Sequence, residues 1–92
     1  MTLYQVYVGD VWLSWDSLRT IGIATSPRSA FKILKEYAEK EKMKIAEQDK
    51  AKDNILNLKH LQGDLVDKDD ENDTCNSYFI DVVATNTLVA WD

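Results

Sequence analysis

Apolar and polar positions alternate from the start of the chain. Leu3-Tyr4-Gln5-Val6-Tyr7-Val8 is rich in aromatic and β-branched side chains and stops at Gly9-Asp10, a turn signal. The two-residue period puts Tyr4, Val6 and Val8 on one face and Leu3, Gln5 and Tyr7 on the other, predicting a strand with the first set inward. A second strand is predicted over Ser17 to Ala24, with Ile21 and Ile23 on one face and Leu18, Thr20 and Gly22 on the other. Between them, Gly9 to Asp16 carries Trp12, Leu13 and Trp15, a heavy apolar load for a hairpin link. Either the strands run on into this segment or the loop tip is apolar in its own right.

The period then changes from two to about 3.6. Ser26 suits a helix N-cap, accepting from free N–H groups of the first turn, and Pro27 suits the first helical position because its missing N–H would be unpaired there anyway. Ala30, Phe31, Leu34, Tyr37 and Ala38 recur at helical spacing while Lys32, Lys35, Glu36, Glu39 and Lys40 fall on the opposite side, which predicts a helix to about Lys42. Met43 to Lys52 has strong helix formers but few apolar anchors. Ile55, Leu58 and Leu61 keep a three-residue step that favours a second helical stretch, although Leu56 and Leu58 would equally suit a short strand. Residues 64–76 hold Asp64, Asp67, Asp69, Asp70, Glu71, Asn72 and Asp73, too polar to build a core, and are predicted as a mobile acidic loop. Ser77 to Ala84 alternates again, with Tyr78, Ile80, Val82 and Ala84 against Phe79, Asp81 and Val83. Asn86-Thr87 is a turn, and Leu88 to Trp91 closes the chain with apolar residues.

The order strand, strand, helix, helix or linker, strand implies an α+β fold. It is a small antiparallel sheet packed on one or two helices, a ββα(α)β two-layer sandwich, with the last strand beside the first. Helix on one side cannot also cover Tyr7, Phe79 and Val83 on the other, so apolar sheet surface is expected to remain for a partner or a second copy.

Ninety-two residues suffice for a single domain, 1–92. The longest apolar run is Leu88 to Trp91, too short to span a membrane, and Met1 to Gln5 lacks the basic start and apolar stretch of a signal peptide. The lone Cys75 allows no internal disulfide, and the expected location is the reduced cytoplasm. Net charge is −5 and the pI about 4.7, which argues against direct nucleic-acid binding. The charge is also segregated. Residues 27–62 carry nine Lys/Arg against six Asp/Glu, whereas residues 63–92 carry Lys68 alone against eight acidic groups.

The acidic run fails as a calcium loop, because Asn72 stands where the sharp turn needs Gly and Tyr78 where a bidentate Glu is required. Cys75 lies among carboxylates that would raise its pKa, the opposite of activation, and the sole His60 is far from it in sequence. Gly9, Gly22 and Gly63 are too scattered to form a phosphate loop. No catalytic residue, metal or cofactor is therefore expected. Binding features remain. Trp12, Leu13 and Trp15 suit a recognition tip, since Trp is enriched at interface hot spots, with the alternative that the indoles fold back onto the sheet. Asp67, Asp69, Asp70, Glu71 and Asp73 suit a basic partner, with the alternative that they merely keep a loop soluble.

Ile21-Gly22-Ile23-Ala24-Thr25-Ser26-Pro27-Arg28-Ser29-Ala30-Phe31, followed later by Tyr78-Phe79-Ile80-Asp81-Val82-Val83, resembles the small β-β-α-β proteins of unknown function common in bacteriophage and mobile-element genomes. The likeness spans roughly residues 3–42 and 77–86; it brings no catalytic residue and includes neither the Trp-rich link nor the acidic insertion. It implies a small acidic, non-enzymatic interaction module, phage- or mobile-element-encoded, that inhibits a host defence protein with a basic nucleic-acid channel. The competing expectation is a homodimer that binds a small nucleotide-like ligand in a pocket lined by leftover aromatic sheet surface.

Overall fold

The computed structural model describes residues 2–84. Seven elements follow one another: β1 (Thr2–Gly9), β2 (Arg19–Ala24), α1 (Pro27–Lys40), β3 (Met43–Ile45), α2 (Gln48–Leu56), β4 (Gln62–Asp67) and β5 (Asp70–Ala84). They form one five-stranded antiparallel sheet in the order β2-β1-β5-β4-β3, with the first strand beside the last. The α+β class expected from the pattern is the class observed, with two more strands than the pattern announced.

Tyr4, Val6 and Val8 of β1 and Tyr78 and Ile80 of β5 point to one side. There they meet Ala30, Phe31, Leu34 and Ala38 of α1 and Ala51 and Ile55 of α2 in a single cluster. Both helices thus lie on the same face of the sheet. α1 begins as its sequence dictates: the Ser26 side chain accepts from the Ser29 amide, and Pro27 opens the first turn. It ends at Lys40, after which Lys42 turns left-handed (φ 60°) and redirects the chain into β3.

Three expectations are corrected. Ile21 and Ile23 do not share a face: Val6 pairs with Gly22 and Tyr7 with Thr20, which leaves Ile21 as the extra residue of a bulge. Ile21 packs toward the helices while Ile23 stays 54% exposed on the other face. The stretch after α1 is both strand and helix, a three-residue strand followed by α2. The α2 anchors are Ala51 and Ile55, four residues apart, and Leu58 lies beyond the helix in a left-handed turn. Finally, residues 64–76 are not a loop. They form most of β4 and the first half of β5, joined at Asp67 and Asp70 across Lys68-Asp69. The turn at Asn86-Thr87 and the apolar stretch Leu88 to Trp91 lie outside the described residues.

The far side of the sheet carries Leu3, Gln5, Tyr7, Phe79, Asp81 and Val83, all part-exposed, with no helix of the described residues over them. The Tyr7 and Phe79 rings stack with centroids 6.3 Å apart, and the Tyr7 hydroxyl donates to Gln5 Oε1.

Candidate functional site

The link between β1 and β2 is an ordered loop built on Asp10. Its Oδ1 accepts from the amides of Trp12 (3.0 Å) and Ser14 (3.1 Å), and its Oδ2 accepts from the Ser14 hydroxyl (2.7 Å). Asp10 O accepts from the Leu13 amide, Ser14 O accepts from the Ser17 amide and hydroxyl, and the Asp10 amide returns to Ser17 Oγ. Two consecutive turns result, with Leu13 left-handed (φ 51°) and half-buried between them. The Ser14 hydroxyl and amide, then the Trp12 amide and the Ser17 hydroxyl, hold the Asp10 carboxyl below its ordinary range against slight desolvation.

This backbone pushes the indoles outward. Trp12 is 83% exposed and Trp15 is 90% exposed. Neither folds back onto the sheet. Leu13, grouped with them by sequence, is turned partly inward.

The acidic residues reach the same end of the molecule. Gly9, the last residue of β1, pairs with Ser77, so β5 from Asp70 to Asn76 continues past the point where the Trp loop begins. Two side chains tie hairpin to loop: Asn76 Nδ2 donates to Gly9 O (3.0 Å), and the Ser77 hydroxyl lies 3.3 Å from Val11 O. Asp67, Asp69, Asp70, Glu71 and Asp73 therefore stand on a β-ribbon whose base, at Asn76 and Ser77, is tied to the Trp loop. Within the ribbon Asp67 Oδ1 accepts from the Asp69 amide and Asp70 Oδ1 from the Asn72 amide. Lys44 of β3 meets Glu71 at 2.8 Å and, by that hydrogen bond and its charge, lowers the Glu71 carboxyl below its ordinary value.

Cys75 occupies a bulge between the pairs Leu65–Asn76 and Val66–Thr74. Local desolvation and the charges of Asp73 and Asp67 push its thiol above the ordinary value, a poor setting for a nucleophile. Its Sγ and the Asp67 and Asp73 carboxylates lie within 4.8 Å of one another. The extended course of β5 through this stretch departs from a calcium loop, which must wrap around its ion. His60 does not approach Cys75. It precedes Gln62, which pairs with Phe79, four residues and about 13 Å along β5 from the cysteine.

His60 lines instead a shallow groove with Trp12, Leu13, Gln62, Asp64 and Ser77. Ser77 is 3% exposed, and its hydroxyl stands 3.0 Å from Asp64 Oδ1. The groove escapes sequence reasoning, since its walls come from residues about fifty or more positions apart and neither Ser77 nor Asn76 belongs to any motif. Comparison of the chain with family models, with curated proteins and with solved structures finds no match.

Proposed function

We propose that the protein is a non-enzymatic interaction module that binds a protein target bearing a basic surface. The observation that carries this reading is a pair of indoles, 83% and 90% exposed, on a loop fixed by hydrogen bonds to Asp10. An aromatic pair on a backbone already ordered in water spares the cost of ordering the loop on binding and gains much by leaving water. Trp12, Leu13 and Trp15 supply the apolar centre of the surface, and Asp67, Asp69, Asp70, Glu71 and Asp73 supply its charged flank. Carboxylates strung along an extended ribbon present negative charge in a line, as a phosphate backbone does. A nucleic-acid channel in a host defence protein is a target of matching sign, and inhibition follows from occupying it. No described helix is long and apolar enough to cross a membrane, and the proposed setting is the cytoplasm.

The test is affinity capture with three baits: the wild type, Trp12→Ala/Trp15→Ala, and Asp69→Asn/Asp70→Asn/Glu71→Gln. A target retained by the wild type alone and displaced by duplex DNA supports the reading. Retention of the same target by both variants overturns it. Part-exposed Tyr7, Phe79 and Val83, on the sheet face that no described helix covers, favour the second reading, a homodimer binding a nucleotide-like ligand. That reading requires a dimeric mass by light scattering and a melting point that rises with nucleotide concentration.

A further inference from the structure

The groove between the Trp loop and β4 has one aromatic wall and one anionic wall. Trp12, Val11 and Leu13 form the first; Gln62 and Asp64 of β4, with His60 just before the strand, form the second, and Ser77 reaches both. The two walls are coupled by one side chain. The Ser77 hydroxyl lies 3.0 Å from Asp64 Oδ1 and 3.3 Å from Val11 O. The second Asp64 oxygen meets no protein donor among the described residues, and no lysine or arginine lines the groove. Lys50 lines the adjoining groove and forms no ion pair with Asp64.

We propose that this groove receives an arginine side chain of the partner. The guanidinium stacks on the Trp12 indole and donates to the free oxygen of Asp64, while its methylene stem lies along Val11 and Leu13. Charge decides the class of occupant: an anion would face Asp64, and a neutral apolar chain would leave a carboxylate covered and unpaired. Shape decides between cations. A planar, weakly hydrated guanidinium can stack and pair at once, whereas an ammonium offers a compact, strongly hydrated point charge. The inference rests on the proposed basic partner and names the chemistry by which that partner is read.

The probe is the capped tripeptide acetyl-Gly-Arg-Gly-amide, with lysine and citrulline peptides as counterparts. It is titrated into ¹⁵N-labelled full-length protein, with the Trp12 indole signal assigned through Trp12→Phe. The expected result is a saturable shift of that indole and of the Asp64 amide, strongest with arginine and absent with the neutral citrulline peptide. Asp64→Asn, which keeps the Ser77 contact but removes the charge, should weaken binding about three- to fivefold. Trp12→Ala should weaken it by about two- to fivefold. Glu36→Gln/Glu39→Gln, on the exposed side of α1, should leave it unchanged. An equal response to citrulline, no saturation with arginine, or a loss in this helix variant as large as in Asp64→Asn overturns the groove assignment. Target capture separates the two readings: if Asp64→Asn retains the target while Trp12→Ala/Trp15→Ala loses it, the interaction module stands and the arginine groove falls.

Discussion

Asp10 directs its carboxylate at its own loop, and with it decides where two tryptophans point. Asp10→Ala should leave the sheet intact while freeing the loop, read as faster hydrogen exchange at the Trp12 and Ser14 amides and weaker target binding. The pH dependence has a definite sign. The folded carboxyl sits below its ordinary value of 3.8, so the ordering it provides is complete above that value and fades as pH falls through the lower, folded one. Two glycines give a second contrast at this scale. A Cβ on Gly63 would meet the hydroxyl and ring of buried Tyr78 at 2.6–2.9 Å, whereas a Cβ on Gly22 would meet Cγ2 and Cδ1 of Ile33, which is only half-buried, at 2.8–3.1 Å. Gly63→Ala should therefore lower stability by about 1–3 kcal/mol and Gly22→Ala by distinctly less, as measured by urea unfolding. Tyr78 itself, its phenol pushed up to about 12 by burial and by the Asp64 charge, has no room to give way.

Among the elements, those that build their own signal were legible. Ser26 and Pro27 announced α1, and β1 declared its inward set, because cap chemistry and a two-residue period are local properties. β3 was not legible, since Met43-Lys44-Ile45 is too short to show a period and exists because β4 lies beside it. The β4–β5 ribbon is hidden for a related reason. Asp and Asn disfavour strands on their own, and here the pairs Asp64–Ser77, Leu65–Asn76, Val66–Thr74 and Asp67–Asp70 build the ribbon across two register shifts, with Glu71, inside the second, held by Lys44. The helix expected after Lys42 does occur, but Ala51 and Ile55 anchor it in place of the three-residue step through Leu58. Ile55→Ala should accordingly cost about 2–5 kcal/mol, visible as a lower urea midpoint, because this side chain is fully buried and is the main apolar tie of α2.

For the whole molecule, the informative property is where charge and apolar surface lie relative to each other. Trp12, Trp15 and the acidic residues could each be singled out in sequence; their shared position could not, because it depends on Gly9 meeting Ser77 and Asn76 across most of the chain. That arrangement predicts a division of labour in binding kinetics. Association should slow steeply as salt is raised, and Asp69→Asn/Asp70→Asn/Glu71→Gln should flatten that dependence. Trp12→Ala/Trp15→Ala should chiefly speed dissociation, which surface plasmon resonance resolves separately.

The register that pairs Thr2 with Ala84 also bears on how the chain is made. A ribosome delivers β1 well before β5, so the edge of β1 that takes β5 waits, unzipped, while the elements between them are made. The hairpin with β2 and the capped helix can form early, but the described sheet cannot close until β5 leaves the exit tunnel. Nascent chains stalled before Ser77 should thus offer proteases and chaperones an open flank that the finished protein no longer has.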